Sequence, residues 1–148
     1  MNKMNSELQK ILNSEIPLTK EIGISVGECT DNSLTLNAPL ENNINHKRTA
    51  FGGSIYSVSV LSGWGLIYLF LRRHGLSGHI VIQDSNTKFL KPVTSTISSK
   101  CSFRSKEQQD NFIKIYKRKG KARIQLESRI EGEGSTNVIF IGTYVVHK

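Results

Sequence analysis

Asn45 and His46 stand shortly before a glycine pair, Gly52 and Gly53, and from Thr49 to Leu71 the only ionisable side chains are Tyr56 and Tyr68. If a helix starts at those glycines, its first turn offers unpaired backbone N–H groups and the positive end of its dipole. With no side chain in the way, a ligand carbonyl or oxyanion could approach that backbone closely. Asn45 and His46 could reach the same point and orient a carbonyl or a water. The other group suited to proton transfer is Asp84, in "VIQDSN", the one acid in an otherwise apolar and uncharged neighbourhood. Sharing parity with Ile80 and Ile82, it could point inward, where desolvation raises a carboxyl pKa toward that of a useful base. Plainer roles exist for each. The glycines could merely permit close packing, His46 could be an ordinary loop residue, and Asp84 could accept hydrogen bonds that fix the loop.

The elements that must position these groups are legible in the periodicity. Ser6 and Gln9 read as a capping box opening a helix over residues 5–14, with Leu8, Ile11 and Leu12 on one face, ending before Pro17. "IGISVGECT" and "SLTLNAPL" alternate with period two around Asp31–Asn32 and predict a hairpin. A loop then leads to a central helix over about 51–73. Strands follow in "HIVIQDSNTKFLKPV" and "STISSKCSFRS". A second capping box, Ser105 and Gln108, starts a short helix that stops at Gly120. "KARIQLESRIEGEG" and "TNVIFIGTYVV" complete the series. One-faced alternation of this kind implies an antiparallel sheet with one side on a core. The fold class is α+β, in a single domain over 1–148 without repeats or linkers.

The uncharged segment is long enough to cross a bilayer. Its serines (Ser54, Ser57, Ser59, Ser62) and glycines (Gly52, Gly53, Gly63, Gly65), and positive residues at both ends, argue instead for a helix wrapped by its own strands. Trp64 and Tyr56 then become core or pocket walls.

The chain carries a formal charge of +8, with 37% hydrophobic and 22% charged residues. A solvated basic surface or an anionic ligand accounts for that balance better than nucleic acid, because no zinc-finger spacing and no aromatic RNA-recognition signature occurs. Cys29 and Cys101 lie far apart and in no metal-like spacing, so neither a disulfide framework nor a metal site is expected. With a polar start, "MNKMNSELQKILNSE", the expected location is cytoplasmic.

The combination of "NINHKRTAFGGSIYS", "SGWGL", "GHIVIQDS" and "FLKPV", in that order and spacing, resembles the thioesterase domain of the YiiD C-terminal type, a hotdog-fold family. The resemblance covers about residues 15 to 147. It implies an antiparallel sheet wrapped around a long central helix, and hydrolysis of acyl-CoA or acyl-carrier-protein thioesters without a cofactor. It further implies a site at the interface of a homodimer or dimer of dimers, with the acyl carbonyl at the central helix N-terminus. On this sequence the catalytic candidates are Asp84, Asn45, His46 and Gly53. Gly52, Ser54, Tyr56, Ser85, Lys88 and Lys91 are the substrate-binding candidates, although Lys88, Lys91 and Arg104 also read as plain solvated cations. Many hotdog thioesterases carry an Asp or Glu eight residues after the first glycine of the helix; here that residue is Val60, between Ser59 and Leu61. A non-catalytic acyl-CoA-binding or sensing module is therefore the alternative. A dehydratase using His46 is a third possibility, with a histidine context that differs from that of hotdog dehydratases.

Overall fold

The computed structural model describes residues 3–148. Two short helices, α1 (Lys3–Glu15) and α2 (Leu18–Ile22), precede the hairpin β1 (Ser25–Cys29) and β2 (Ser33–Ala38). The long helix α3 (Gly52–Arg73) comes next. It is followed by β3 (His79–Phe89), β4 (Ile97–Ser102), α4 (Lys106–Lys119), β5 (Lys121–Gly132) and β6 (Ser135–His147). The strands form one antiparallel sheet in the order β1-β2-β4-β5-β6-β3. This sheet curls around α3, the hotdog arrangement.

Strand β5 shows why the sheet has a dry and a wet face. Ala122, Ile124, Leu126 and Ile130 are buried, while Lys121, Arg123, Gln125, Glu127, Arg129 and Glu131 alternate outward. Such alternation leaves one apolar face that α3 covers. By length and composition α3 passes as a membrane span, yet 67% of its most apolar window is buried within the molecule. It is the core helix.

Close approach of helix and sheet depends on small residues. A Cβ built on Gly63 would collide with the ring of Tyr144, and one on Gly65 would lie 2.7 Å from Leu34. Just before them, the Ser62 hydroxyl meets those of Ser99 (3.1 Å) and Ser128 (3.0 Å) and donates to the Ser59 carbonyl (2.8 Å). Opposite this buried face runs a half-buried stripe spaced four residues apart, Tyr56, Val60, Trp64 and Tyr68. Two of its aromatic members reach β3: Trp64 Nε1 donates to the Ile80 carbonyl (3.2 Å), and the Tyr56 hydroxyl meets that of Ser85 (2.9 Å).

Two local expectations change. Ile22 does not begin a strand but ends α2, which Gly23 closes in the left-handed region at φ 78° with its N–H on the Thr19 and Lys20 carbonyls. Thr19 ties this turn back to α1 through the Leu12 carbonyl (3.1 Å). Gln9 also does other work than capping. Its carboxamide donates to the Ile24 carbonyl and accepts from the Val26 N–H, both at 2.9 Å, closing the β1 edge as another strand would. At α4 the second cap forms as the sequence predicts, with Ser105 Oγ accepting from the Gln108 N–H (3.1 Å).

Gly63→Ala improves helix propensity, yet the buried Tyr144 ring cannot move aside. The expected outcome is a loss of about 1–3 kcal/mol of stability from overpacking, read as a lower midpoint in chemical denaturation. An unchanged midpoint would show that helix and sheet do not meet at this glycine.

Candidate active site at the start of the central helix

The chain enters α3 through a loop held by two asparagines. Asn43, which is buried, donates to the Ile22 (3.0 Å) and Pro39 (2.7 Å) carbonyls, and its own carbonyl accepts the Phe51 N–H (2.7 Å). Asn45 accepts from the Lys47 (2.9 Å) and Thr49 (3.2 Å) N–H groups and donates to the Thr49 hydroxyl (2.9 Å) and the Ala50 carbonyl (3.4 Å). All four hydrogen-bonding positions of its carboxamide are thus engaged inside the loop. Asn45 shapes the approach to the helix rather than reaching a bound carbonyl or water, as the sequence had suggested. His46, Lys47 and Arg48 are exposed on the same loop. Arg48 adopts φ 67°, a left-handed conformation that costs a residue with a Cβ about 1–2 kcal/mol.

The N-cap of α3 is Phe51, which has no side-chain acceptor and makes no cap hydrogen bond. The first-turn amides of Gly52, Gly53 and Ser54 therefore lack the side-chain cap that Ser105 supplies to α4. The two glycines have separate reasons. A Cβ on Gly53 would strike the Phe51 ring folded over it, whereas a Cβ on Gly52 would make ordinary contact with the Phe89 ring at 3.7 Å. Phe51, Phe89 and Leu90 are each more than half exposed, an apolar lip that the hydrophobic count alone does not set apart from core.

One turn into the helix, Tyr56 borders a depression of about 270 Å³ shared with Ile82, Gln83, Asp84 and Ser85. Its ring packs edge-on against Phe140 (centroids 5.7 Å apart). The inward parity expected for Asp84 does not survive. A register shift between Ile82 and Asp84 leaves Ile82 opposite Tyr144 and Asp84 opposite Thr143. Tyr144 faces the helix, its hydroxyl donating to the Val60 carbonyl (2.7 Å). Beyond the bulge Ser85 takes the helix-facing place, and Asp84 is exposed in the single chain rather than desolvated. Bulges re-aim side chains in this way and are common beside active sites.

Tyr56, Asp84 and Ser85 thus meet around one depression, with Gly52, Gly53 and Ser54 a turn away. The exposed Lys88 and Lys91 flank Phe89 and Leu90, and the Ala50 N–H on the Val93 carbonyl (2.8 Å) ties their segment to the helix start. Among the described residues no cluster of three His, Cys, Asp or Glu side chains could hold a metal ion. Cys101 is no candidate nucleophile. It is fully buried, and burial, opposed by a hydrogen bond with Ser128, pushes its thiol up from 9.0 to about 12.

Residues 5–148 match the family described as "Putative thioesterase (yiiD_Cterm)". A protein of unknown function from Chlorobaculum tepidum is 34% identical, with a TM-score of 0.92 over 97% of this chain and 94% of its own. A Shewanella oneidensis protein described as a putative thioesterase is 31% identical, with a TM-score of 0.86 over 100% of both chains. A Pseudomonas aeruginosa protein at 15% identity shares the fold, with a TM-score of 0.80 over 96% of this chain and 94% of its own.

The buried thiol has a direct readout. Native protein at pH 8 should yield one thiol, that of the half-buried Cys29, to a disulfide reagent, and two in denaturant; two in the native state would place Cys101 elsewhere. An unfolded chain releases the Cys101 proton near pH 9 while the fold retains it to about 12, so its contribution to stability declines as pH rises through that window.

Proposed function

Because this chain belongs to the YiiD C-terminal thioesterase family, we propose that it hydrolyses acyl-CoA or acyl-carrier-protein thioesters with the acyl carbonyl held at the start of α3. The observation carrying this reading is the contrast between the two long-helix starts. Helix α4 has its first turn capped by Ser105, whereas α3 opens on Phe51 and two glycines with no cap. Uncapped amides at the positive end of a helix dipole are suited to an oxyanion, and they strengthen their hold as charge develops on the carbonyl oxygen. The lip of Phe51, Phe89 and Leu90 offers apolar surface for the acyl chain beside that point.

In the proposed reaction, Asp84 directs a water at the thioester carbonyl and takes its proton. The oxyanion is held by the backbone N–H of Gly53 or Ser54, and collapse expels the thiolate, which is then protonated. His46, on the loop that Asn45 shapes, helps to orient the water. Tyr56 and Ser85 wall the depression between base and helix.

A second copy completes this arrangement in our reading. Strand β3, with β6 as its one strand neighbour, is an eleven-residue edge, and such edges are normally paired or covered. Val81 and Phe89 are exposed along it, and the half-buried Tyr56–Tyr68 stripe runs beside it. Pairing of two β3 edges would cover this surface and shield Asp84 from bulk water. Two unpaired cysteines suit a reducing cytoplasm as the setting.

Val60 favours a second reading, binding without hydrolysis. It occupies the half-buried helix position where many relatives of this fold carry an acid, and Asp84 stands exposed in its stead. Incubation with a panel of acyl-CoAs and a thiol reagent, alongside calorimetry, separates the two: binding without release of free CoA selects the second reading.

General-base catalysis is typically worth 10²–10⁴-fold, so Asp84→Asn should lower turnover by about that factor while acyl-CoA still binds. Gly53→Val should impair both binding and turnover. Wild-type turnover in folded Asp84→Asn would remove Asp84 from the mechanism. Sedimentation should show at least a dimer at micromolar concentration; a monomer would refute the paired edge and the shared site.

A further inference from the structure

Of the four histidines in the chain, two are distant in sequence and side by side in the fold. His79 opens β3 and His147 closes β6, and the antiparallel register sets them directly opposite each other. Residues paired in this way carry their Cβ atoms about 5 Å apart on one face of the sheet. That face is the outer one. Ile80 and Val146, next along each strand, are buried in the core, so the histidines point the other way. His79 is exposed and His147 half-buried, and their rings centre 5.3 Å apart.

This spacing is that of a chelate. A Zn–N bond is about 2.0–2.1 Å and a ring centre lies about 1.1 Å beyond the nitrogen, so two imidazoles on one tetrahedral ion centre about 5.2 Å apart. The two strands need not move to share an ion. His147 is also oriented. Its Nδ1 lies 2.9 Å from the Lys148 main-chain oxygen. That oxygen only accepts, so Nδ1 carries the proton, and in the neutral ring Nε2 keeps its lone pair. Anchoring of the second nitrogen on a main-chain oxygen is the usual arrangement of a metal-ligating histidine. Neither ring is taken up by an ion pair among the described residues.

We propose that His79 and His147 form a cross-strand chelate for a divalent transition-metal ion of the zinc, nickel and copper class, with water in the remaining positions. Imidazole suits these ions, whereas magnesium and calcium take oxygen ligands. Two protein ligands fall short of the three-residue clusters absent among the described residues, so the ion is held exchangeably at the surface. Lys121, opposite His147 on β5, and the neighbouring Arg123 and Lys148 are exposed cations that weaken the site, and salt screens their repulsion. The candidate active site is elsewhere. Phe89, beside Gly52, lies at the far end of the eleven-residue strand β3, about 33 Å from His79. A bound ion would staple the edge strand β3 to β6 at the end of the sheet remote from that site.

Calorimetry of the untagged, metal-free protein with zinc, nickel or copper(II) chloride should give one ion per chain, copper binding tightest and magnesium chloride giving no heat. His79→Asn and His147→Asn should each weaken binding about tenfold or more, since even second-sphere partners of a metal ligand are worth that much. His74→Asn, which removes an exposed histidine at the end of α3, should bind as wild type does. A fluorescence readout is built in. Trp64, the one tryptophan, donates to the carbonyl of Ile80, the residue after His79, so bound copper should quench its emission in wild type and not in His79→Asn. Nickel should also raise the melting temperature of wild type in proportion to the logarithm of its concentration, and leave that of His79→Asn unmoved. Both histidines are exposed or half-buried outside the core, so the variants should fold. Wild-type affinity and stoichiometry in both histidine variants would overturn the proposal, as would loss of binding in Cys29→Ser. Metal-dependent growth of the assembly in sedimentation would overturn it too, because the histidines would then bridge two molecules rather than two strands.

Discussion

The whole molecule depends on how closely α3 lies against the sheet it occupies. Large side chains would hold the helix away from the sheet; here Gly63 and Gly65 remove them where Tyr144 and Leu34 press in. That intimacy brings polar groups into the core, and each needs a partner. Ser62 supplies one for Ser99 and Ser128 at once, and Ser128 reaches the Ser59 carbonyl as well (3.3 Å). Tyr144 satisfies its hydroxyl on the Val60 carbonyl. Hydroxyls thus anchor a helix that apolar contacts alone would let slide or rotate, since hydrogen bonds are directional and dispersion contacts are not.

A fixed helix has a fixed N-terminus, and the site is built outward from it. Asn43 and Asn45 brace the incoming loop, one by bonding to the α2 end and the loop's own start, the other by closing the turn around Arg48. The last turn carries Arg72 and Arg73, cations that suit the negative end of the dipole, whereas the first turn carries no charge and no cap. An oxyanion at the first turn would complete that asymmetry. The proposed catalytic geometry is therefore a consequence of how the core is packed.

The sheet edges differ in the same spirit. At β1 the Gln9 carboxamide imitates a neighbouring strand and closes the ladder locally. At β3 the edge is long, bulged at Ile82–Asp84, and bordered by exposed Phe89 and by the half-buried aromatic stripe of α3. Val60 belongs to that stripe, so this turn of the helix presents an aliphatic wall and no ionisable group. On the strand side the bulge leaves an acid, Asp84, exposed beside the depression that Tyr56 borders.

Much of this was written in the sequence. Period-two alternation determined the strands, because a half-buried sheet demands it of every residue. The small-residue content of "GGSIYSVSVLSGWG" determined that the apolar helix belongs inside a sheet, and motif order placed the chain in its family. Ser105 and Gly120 bounded α4 through capping chemistry that operates within a few residues. What escaped the sequence depends on distant partners. Gln9 looked like a capping residue until β1 lay beside it, and Asn45 looked free to act until its loop closed around it. Parity assigned Asp84 inward, but one bulged residue, set by pairing with β6, turned it to the other face. Phe51 and Arg48 acquired meaning only from backbone geometry, a ring folded over Gly53 and a left-handed φ. Local pattern determines which residues are buried, because burial follows periodicity; tertiary structure alone decides which polar groups are left free to act, because that depends on who arrives to bond with them.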